Sequence, residues 1–475
     1  MRYEPFSNAG VNTIGTSHGT EKHSDTLRER LQSGSTLTHV GRVVRAVGTS
    51  IRVSGLPVRI GQRCQIQCKA TEQVLFADVV GIEQNDAILV PLNTLHGVSV
   101  DSEVRVTTDH ASILVGSELL GRVLDGFGNP LDGKPAVTNG LDCPLSAAAP
   151  NPLSRTRITT RLQTGIKAID GVLTVGKGQR TGIFAPAGAG KSTLLGMLAN
   201  GSEADVIVVG LVGERGREVR EFIEDALDDK TQQKAVLVAA TSDRPAMERV
   251  RAAETATAIA EGFRDQGKNV LLLVDSVTRY ARALREMGLA VGEPPVRHGF
   301  TPSVFAELPR LFERSGTNAR GSISAFYTVL TDDDTGTDPI AEETKSILDG
   351  HIVLSRALAE AGQFPAVDVL LSQSRLFNQL VSSEHLKAAT RVRQLLSKYQ
   401  EIEFLIQVGE YVSGSDEIAD EAIQQMPAIR SLLRQTTNDN VSFELVLAQL
   451  CQIAGLAESE QQDANSQVEQ MEHPA

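Results

Sequence analysis

The sequence predicts an α/β protein: a mostly parallel sheet carrying a phosphate-binding loop, preceded by a small β-barrel and followed by a helical C-terminal domain. Three observations carry that expectation. Apolar runs at Asp205–Gly210, Ala235–Ala239 and Val270–Val274 alternate with helix-like stretches, the pattern of a sheet covered on both faces. Short β-rich runs separated by glycine turns fill the region before them. Polar, helix-periodic sequence follows from about Ser382.

In chain order, residues 1–36 read as a flexible arm. Met1 to Glu21 are polar and rich in Gly, Ser and Thr, with no apolar segment, which argues against a secretory signal and for a cytosolic protein. His23 to Gln32 could form a short amphipathic helix that docks on a regulator or a membrane surface, but Leu27 and Leu31 alone make a narrow stripe, so a solvated arm is favoured. Residues 37–106 carry runs such as Gly41–Val47, Ile51–Val53 and Ala87–Val90 between glycine turns, and are expected to close into the barrel. Residues 107–381 hold the sheet domain. The longest helix of the whole chain is expected after Pro245, where Ala252, Ala256, Ile259 and Phe263 fall on one face. Residues 382–457 read as the helical domain, with Leu395–Leu396 and Leu432–Leu433 in its core. Residues 458–475, rich in Glu, Gln, Asp, Asn and Ser, read as a disordered tail.

Composition narrows the class. The 475 residues allow about three domains, and 41% hydrophobic with 22% charged residues fits an ordinary soluble protein. A net charge of −13 sets nucleic-acid binding at a disadvantage. Cys64, Cys68, Cys143 and Cys451 lack the partner spacing of a zinc site and read as reduced thiols.

The chemistry begins at Ala185–Ser192, A-P-A-G-A-G-K-S, between the apolar Gly182–Phe184 and the helix-like Thr193–Leu198. Strand, glycine loop and helix in that order form a nucleotide-phosphate cradle. Gly188 and Gly190 let successive N–H groups turn inward, Ala187, Ala189 and Thr193 complete the backbone cup, Lys191 reaches the outer phosphates and Ser192 can ligate Mg²⁺. Ala185 replaces the motif's first glycine, which is tolerable if its φ stays negative.

Two carboxylates belong with this loop. Asp275 ends the Val270–Val274 strand and is placed as the metal-side carboxylate; capping the next helix is the alternative. Glu214, in Gly213–Glu218, is placed to orient the attacking water, with Arg215 beside it for charge developing on the transferring oxygens. By residue type alone a solvated turn or an inter-subunit salt-bridge patch explains that cluster equally well.

Pro365–Ser374 resembles the signature of the rotary-ATPase α/β superfamily, and Gly213-Glu214-Arg215 is similar to its catalytic-glutamate motif. The resemblance covers nearly the whole chain and implies a RecA-like P-loop core, ATP and Mg²⁺. It also implies that Arg375 reaches into a neighbouring subunit's site as an arginine finger and that Phe364 stacks on adenine. One chain carrying both Glu214 and Arg375 favours a homohexamer with identical interfaces. Arg279–Glu286, Gly292–Pro295, Pro302–Phe305 and Leu308–Arg314 further resemble the type III secretion and flagellar-export ATPases. Val408–Tyr411 and the form of Arg279–Arg285 lean to the injectisome branch.

That family implies an ATPase at the cytoplasmic face of the inner membrane, releasing chaperones and unfolding cargo at an export gate. Its implied partners are a stator or regulator, a central stalk and chaperone–cargo complexes, with peripheral membrane association and no nucleic acid. Competing readings are a flagellar export ATPase, an ATP synthase catalytic subunit and a rho-like RNA translocase; the last should bring aromatic platforms and basic surface that the N-terminal region lacks.

Overall fold

A computed structural model describes residues 39–456 apart from 70, 93, 109–110 and 332–337. The arm with its His23–Gln32 segment and the tail from 458 lie outside the described residues.

Six short strands, Gly41–Val47, Ser50–Ser54, Arg63–Gln67, Val74–Glu83, Asp86–Pro91 and Glu103–Thr108, close into a barrel. Alternation explains it: in Ser50–Ser54 and Arg63–Gln67 every second residue is buried, and Ile51, Val53, Cys64, Ile66, Leu89 and Val104 fill the interior. All four cysteines are free thiols and buried, and burial pushes Cys64 and Cys143 up to about 11, so neither thiol ionises at neutral pH. The barrel is joined to the next domain by charge. Asp78, on a barrel strand, accepts from Arg63 at 2.9 Å and from Arg251, on a helix of the sheet domain, at 2.7 Å.

The large sheet runs in the order Val367–Ser374, Gly350–Leu354, Arg180–Ala185, Ser322–Leu330, Asn269–Asp275, Val206–Glu214, Ala235–Thr241, Arg122–Asp125, with Gly316–Thr317 at one end of Ser322–Leu330. Every neighbouring pair along that order is parallel except the first. Its central strands are apolar on both faces because both are covered. Ile207, Val209 and Leu211 point to one core; Val206, Val208 and Val212 point to the other.

One face packs on Ala246–Asp265, Val277–Ala290 and Pro302–Glu313; Ala252, Ala256, Ile259 and Phe263 are all buried there. The other packs on the helix Lys191–Gly201, whose Leu194, Leu195 and Leu198 share one continuous core with Ala388, Val392, Leu395, Ile429 and Leu432. The helical domain is thus fused to the phosphate-loop side of the sheet. It consists of Ser383–Val408, Glu417–Leu433 and Phe443–Ile453. The expectation that the longest helix follows Pro245 is corrected: Ala246–Asp265 has 20 residues and Ser383–Val408 has 26. Ser382 caps the latter by accepting from His385 N at 3.2 Å, and no Gly or Pro interrupts it before Gly409. Among the described residues no helix is long and apolar enough to cross a membrane.

Candidate active site

The loop after Arg180–Ala185 delivers its glycines where the backbone needs them. Gly188 and Gly190 have φ of 82° and 84°, a region closed to most side chains, and Gly190 is the N-cap of Lys191–Gly201. Ala185 is the last residue of its strand and is not among the residues with positive φ, so alanine stands in for the motif's glycine without strain. Ala187, Gly188, Ser192 and Thr193 form an open rim, whereas the Ala189 side chain is buried in the core and anchors the loop. A helix N-terminus with upturned N–H groups is an anion site.

Lys191 projects from that helix onto two carboxylates. Its Nζ pairs with Asp275 Oδ1 and lies 3.2 Å from Glu214 Oε1. Both acids end adjacent parallel strands at the same edge of the sheet. Asp275 also accepts from Thr328 Oγ1 at 2.7 Å, because the Thr328 strand lies between the phosphate-loop strand and the Asp275 strand. Capping of the following helix falls to Ser276, whose Oγ accepts from Arg279 N at 3.3 Å. Asp275 is therefore free of the capping duty weighed against its metal role.

Glu214 is turned inward by its neighbour. Gly213 sits at φ 70°, at a break in strand register between Val212 and Glu214, and a Cβ there would lie 3.2 Å from the Arg279 side chain. The strand so continues through Glu214, which is 3% exposed. Arg279 Nη2 lies 3.1 Å from Glu214 Oε2. Burial, and next the Asp275 charge, push the Glu214 carboxyl up to about 7.

Two predicted residues stand apart. The Arg215 side chain is 73% exposed and pairs with Glu218 at 3.4 Å on its own helical turn; among the described residues the arginine that pairs with Glu214 is Arg279. Arg375 is exposed, donates from Nη2 to the Lys345 carbonyl at 3.1 Å and makes no contact with Lys191, Glu214 or Asp275. The sequence reading gave Arg279 and Thr328 no role. The available signal for Arg279 is its place in the first turn of Val277–Ala290, the helix that directly follows the Asp275 strand.

Phe364 is beside the loop. Its ring atoms would lie 3.7 Å from a Cβ on Gly190, and it borders a cavity of about 1010 Å³ with Gly190, Thr193, Lys167, Gln435 and Thr437. The cavity's far wall comes from the helical domain, which sequence reasoning did not foresee. A half-exposed ring flanking a phosphate cradle can stack on a purine.

The donor set also fits a nucleotide-bound divalent cation: one buried carboxylate and one hydroxyl at the cradle, the remaining ligands being left to phosphates and water. Ser192 is exposed at the start of its helix and Asp275 is 3% exposed at the end of its strand.

Comparison with known proteins agrees with this geometry. The family model "ATP synthase alpha/beta family, nucleotide-binding domain" matches residues 165–374, and "T3SS EscN ATPase C-terminal domain" matches 381–452. The chain is 50% identical to the type 3 secretion system ATPase of Xanthomonas euvesicatoria over 90% of its length and 97% of that protein. It is 49% identical to the flagellum-specific ATP synthase of Bacillus subtilis over 87% of its length and 95% of that protein. The assembled ATPase EscN of enteropathogenic E. coli superimposes with TM-score 0.83 at 47% identity, covering 87% of this chain and all of EscN; in complex with its central stalk EscO the TM-score is 0.81 at the same identity and coverage. With half of its residues identical to a type 3 secretion system ATPase along nine-tenths of its length, and with that family's C-terminal domain matching its helical domain, the chain is an ATPase and belongs to the family of type 3 secretion system ATPases.

Proposed function

We propose that this ATPase works as a homohexameric motor whose sites are completed between subunits, supplying energy for chaperone release and cargo unfolding at a type III export gate. One observation carries the reading: Arg375 is exposed, bonds to the Lys345 carbonyl and touches none of Lys191, Glu214 and Asp275 of its own chain, which supports a guanidinium that serves another copy. Assembly of EscN, 47% identical, supports self-association, and its complex with EscO supports a central stalk as partner. The match of residues 381–452 to the type 3 secretion C-terminal domain favours this branch over flagellar export.

Within one subunit, backbone N–H groups from Ala187 to Thr193 grip the β- and γ-phosphates and Lys191 moves from its carboxylates to the phosphate oxygens. Bound Mg²⁺, held by Ser192 and Asp275, would neutralise charge on the transferring group. Glu214, held by Arg279, positions the attacking water and accepts its proton. Arg375 of the next subunit meets the charge spreading over the equatorial oxygens. Phe364 stacks on the adenine.

Loss of the γ-phosphate removes the contact that Arg375 makes, so turnover opens and closes interfaces. In this arrangement residues 37–106 form the ring's crown and 382–457 face cargo and gate at the inner membrane. The test is assembly-linked activity. Specific ATPase activity should rise with protein concentration across the range in which sedimentation shows rings forming. A flat activity there contradicts shared sites.

A further inference from the structure

Gln435 bonds to four residues, Phe364, Gly165, Lys167 and Asp439, at the wall of the cavity beside Phe364. The residue is 7% exposed and lies in the link between Glu417–Leu433 and Phe443–Ile453. Its backbone N–H donates to the Phe364 carbonyl at 2.9 Å. Its Oε1 accepts from Lys167 N at 2.9 Å, and its Nε2 donates to the Gly165 and Asp439 carbonyls, each at 2.7 Å. Both amide protons and the amide oxygen are engaged.

An amide with both protons committed offers no donor to a base, so its work is mechanical. Phe364 belongs to the nucleotide domain and Asp439 to the helical domain. Lys167 opens the short helix Lys167–Val172, which packs against both. A second bond on the same wall, Lys167 Nζ to the Ser431 carbonyl at 2.7 Å, runs between the same two bodies. The Phe364 ring borders the cavity while its carbonyl is held by the Gln435 backbone N–H, whose position the side-chain amide fixes through Gly165, Lys167 and Asp439. Anything that fixes or shifts the ring is therefore felt at residues 431–439, and through them by the helix Glu417–Leu433.

We infer that Gln435 is a positioning residue that holds the Phe364 base platform and couples occupation of the base cavity to the C-terminal helical domain. This rests on the reading that the nucleotide base occupies the cavity beside Phe364. The coupling runs through the hydrogen bonds of a buried side chain, where losing the amide leaves the Gly165 and Asp439 carbonyls without that donor.

The test compares Mg·ATP with Mg·tripolyphosphate, which fills the phosphate cradle and has no base. In the full-length protein, Gln435→Leu should weaken binding of a fluorescent mant-ATP about tenfold, raise KM for ATP similarly and change kcat less than threefold. It should leave tripolyphosphate affinity unchanged. Amide hydrogen exchange over residues 417–453 should slow on adding ATP to the wild type, should not slow with tripolyphosphate, and should not slow with saturating ATP in the variant. Gln435→Glu keeps the size and the Lys167 contact but faces two carbonyls without donors; it should reproduce the loss if the Leu variant folds poorly. Arg391→Gln, which breaks the Arg391–Glu421 pair between two helices of the same domain, should leave mant-ATP affinity at the wild-type value.

Exchange slowing in both Gln435 variants equal to wild type overturns the coupling. So does an equal loss of ATP and tripolyphosphate binding, which marks a general structural role. Phe364→Ala separates the two layers. If it leaves ATP affinity unchanged, the base-cavity reading itself fails; if it weakens ATP binding while both Gln435 variants bind normally, the base reading stands and the proposed latch does not.

Discussion

Arg279 holds Glu214 from the side opposite Lys191: its Nη2 lies 3.1 Å from Oε2, while Lys191 Nζ lies 3.2 Å from Oε1. The carboxylate is gripped at both oxygens, and only one grip has to be released when phosphate draws the lysine away. In the proposed mechanism Arg279 then remains to fix the orientation of Glu214. Removing it should loosen the water-positioning group more than it weakens the hold on phosphates. Arg279→Ala is expected to lower kcat by about 10- to 100-fold, with a smaller change in the affinity for Mg·ATP. Steady-state kinetics beside equilibrium mant-ATP binding checks this; an unchanged kcat with a raised KM assigns Arg279 to binding alone.

Glu214 should set the acid side of the pH profile. Its carboxyl is raised to about 7, so it is protonated below that pH and available as a base above it. The sign follows directly: kcat/KM, which reports the free enzyme, should rise with pH through the neutral range and level off above it. Glu214→Gln should bind Mg·ATP, hydrolyse it orders of magnitude more slowly, and lose this limb of the profile. A wild-type profile flat from pH 6 to 8 contradicts the assignment.

The barrel's attachment should show as stability. Asp78 is 2% exposed and carries two arginines, so Asp78→Ala leaves the buried Arg251 with Glu254 as its one carboxylate partner among the described residues. A loss of about 3 kcal/mol is expected, measured by denaturant unfolding. The double variant Asp78→Leu with Arg251→Met should recover much of that loss, because a packed apolar pair replaces a desolvated ionic one. If the double variant is as unstable as the single one, packing and not charge governs this junction.

Legibility in the sequence followed the range of the interactions. The phosphate loop, the closing barrel and the parallel core were readable because each is written in local signals: glycines at fixed spacing, period-two alternation, and apolar runs ending in an acid. Lys191, Glu214 and Asp275 converge because the loop and both acids occupy the same edge of one sheet, a consequence of βα connectivity that periodicity reveals. Thr328 was not readable, since its contact depends on strand order and not on chain order. Gln435 was hidden for the same reason, 71 residues from Phe364 in sequence and bonded to it across two domains. Arg215 drew attention by adjacency to Glu214, yet the first turn of its helix carries it outward, and Arg279 reaches the carboxylate from another helix.

The proposed shared site needs two copies of the chain, one contributing Lys191 and the other Arg375. The most direct measurement mixes Lys191→Ala with Arg375→Ala protein, each nearly inactive alone, and follows ATP hydrolysis while native mass spectrometry counts both variants in single rings. Mixed rings contain some interfaces that pair an intact Lys191 with an intact Arg375, so part of the activity should return. Mixed rings that form and hydrolyse no faster than either parent contradict the account.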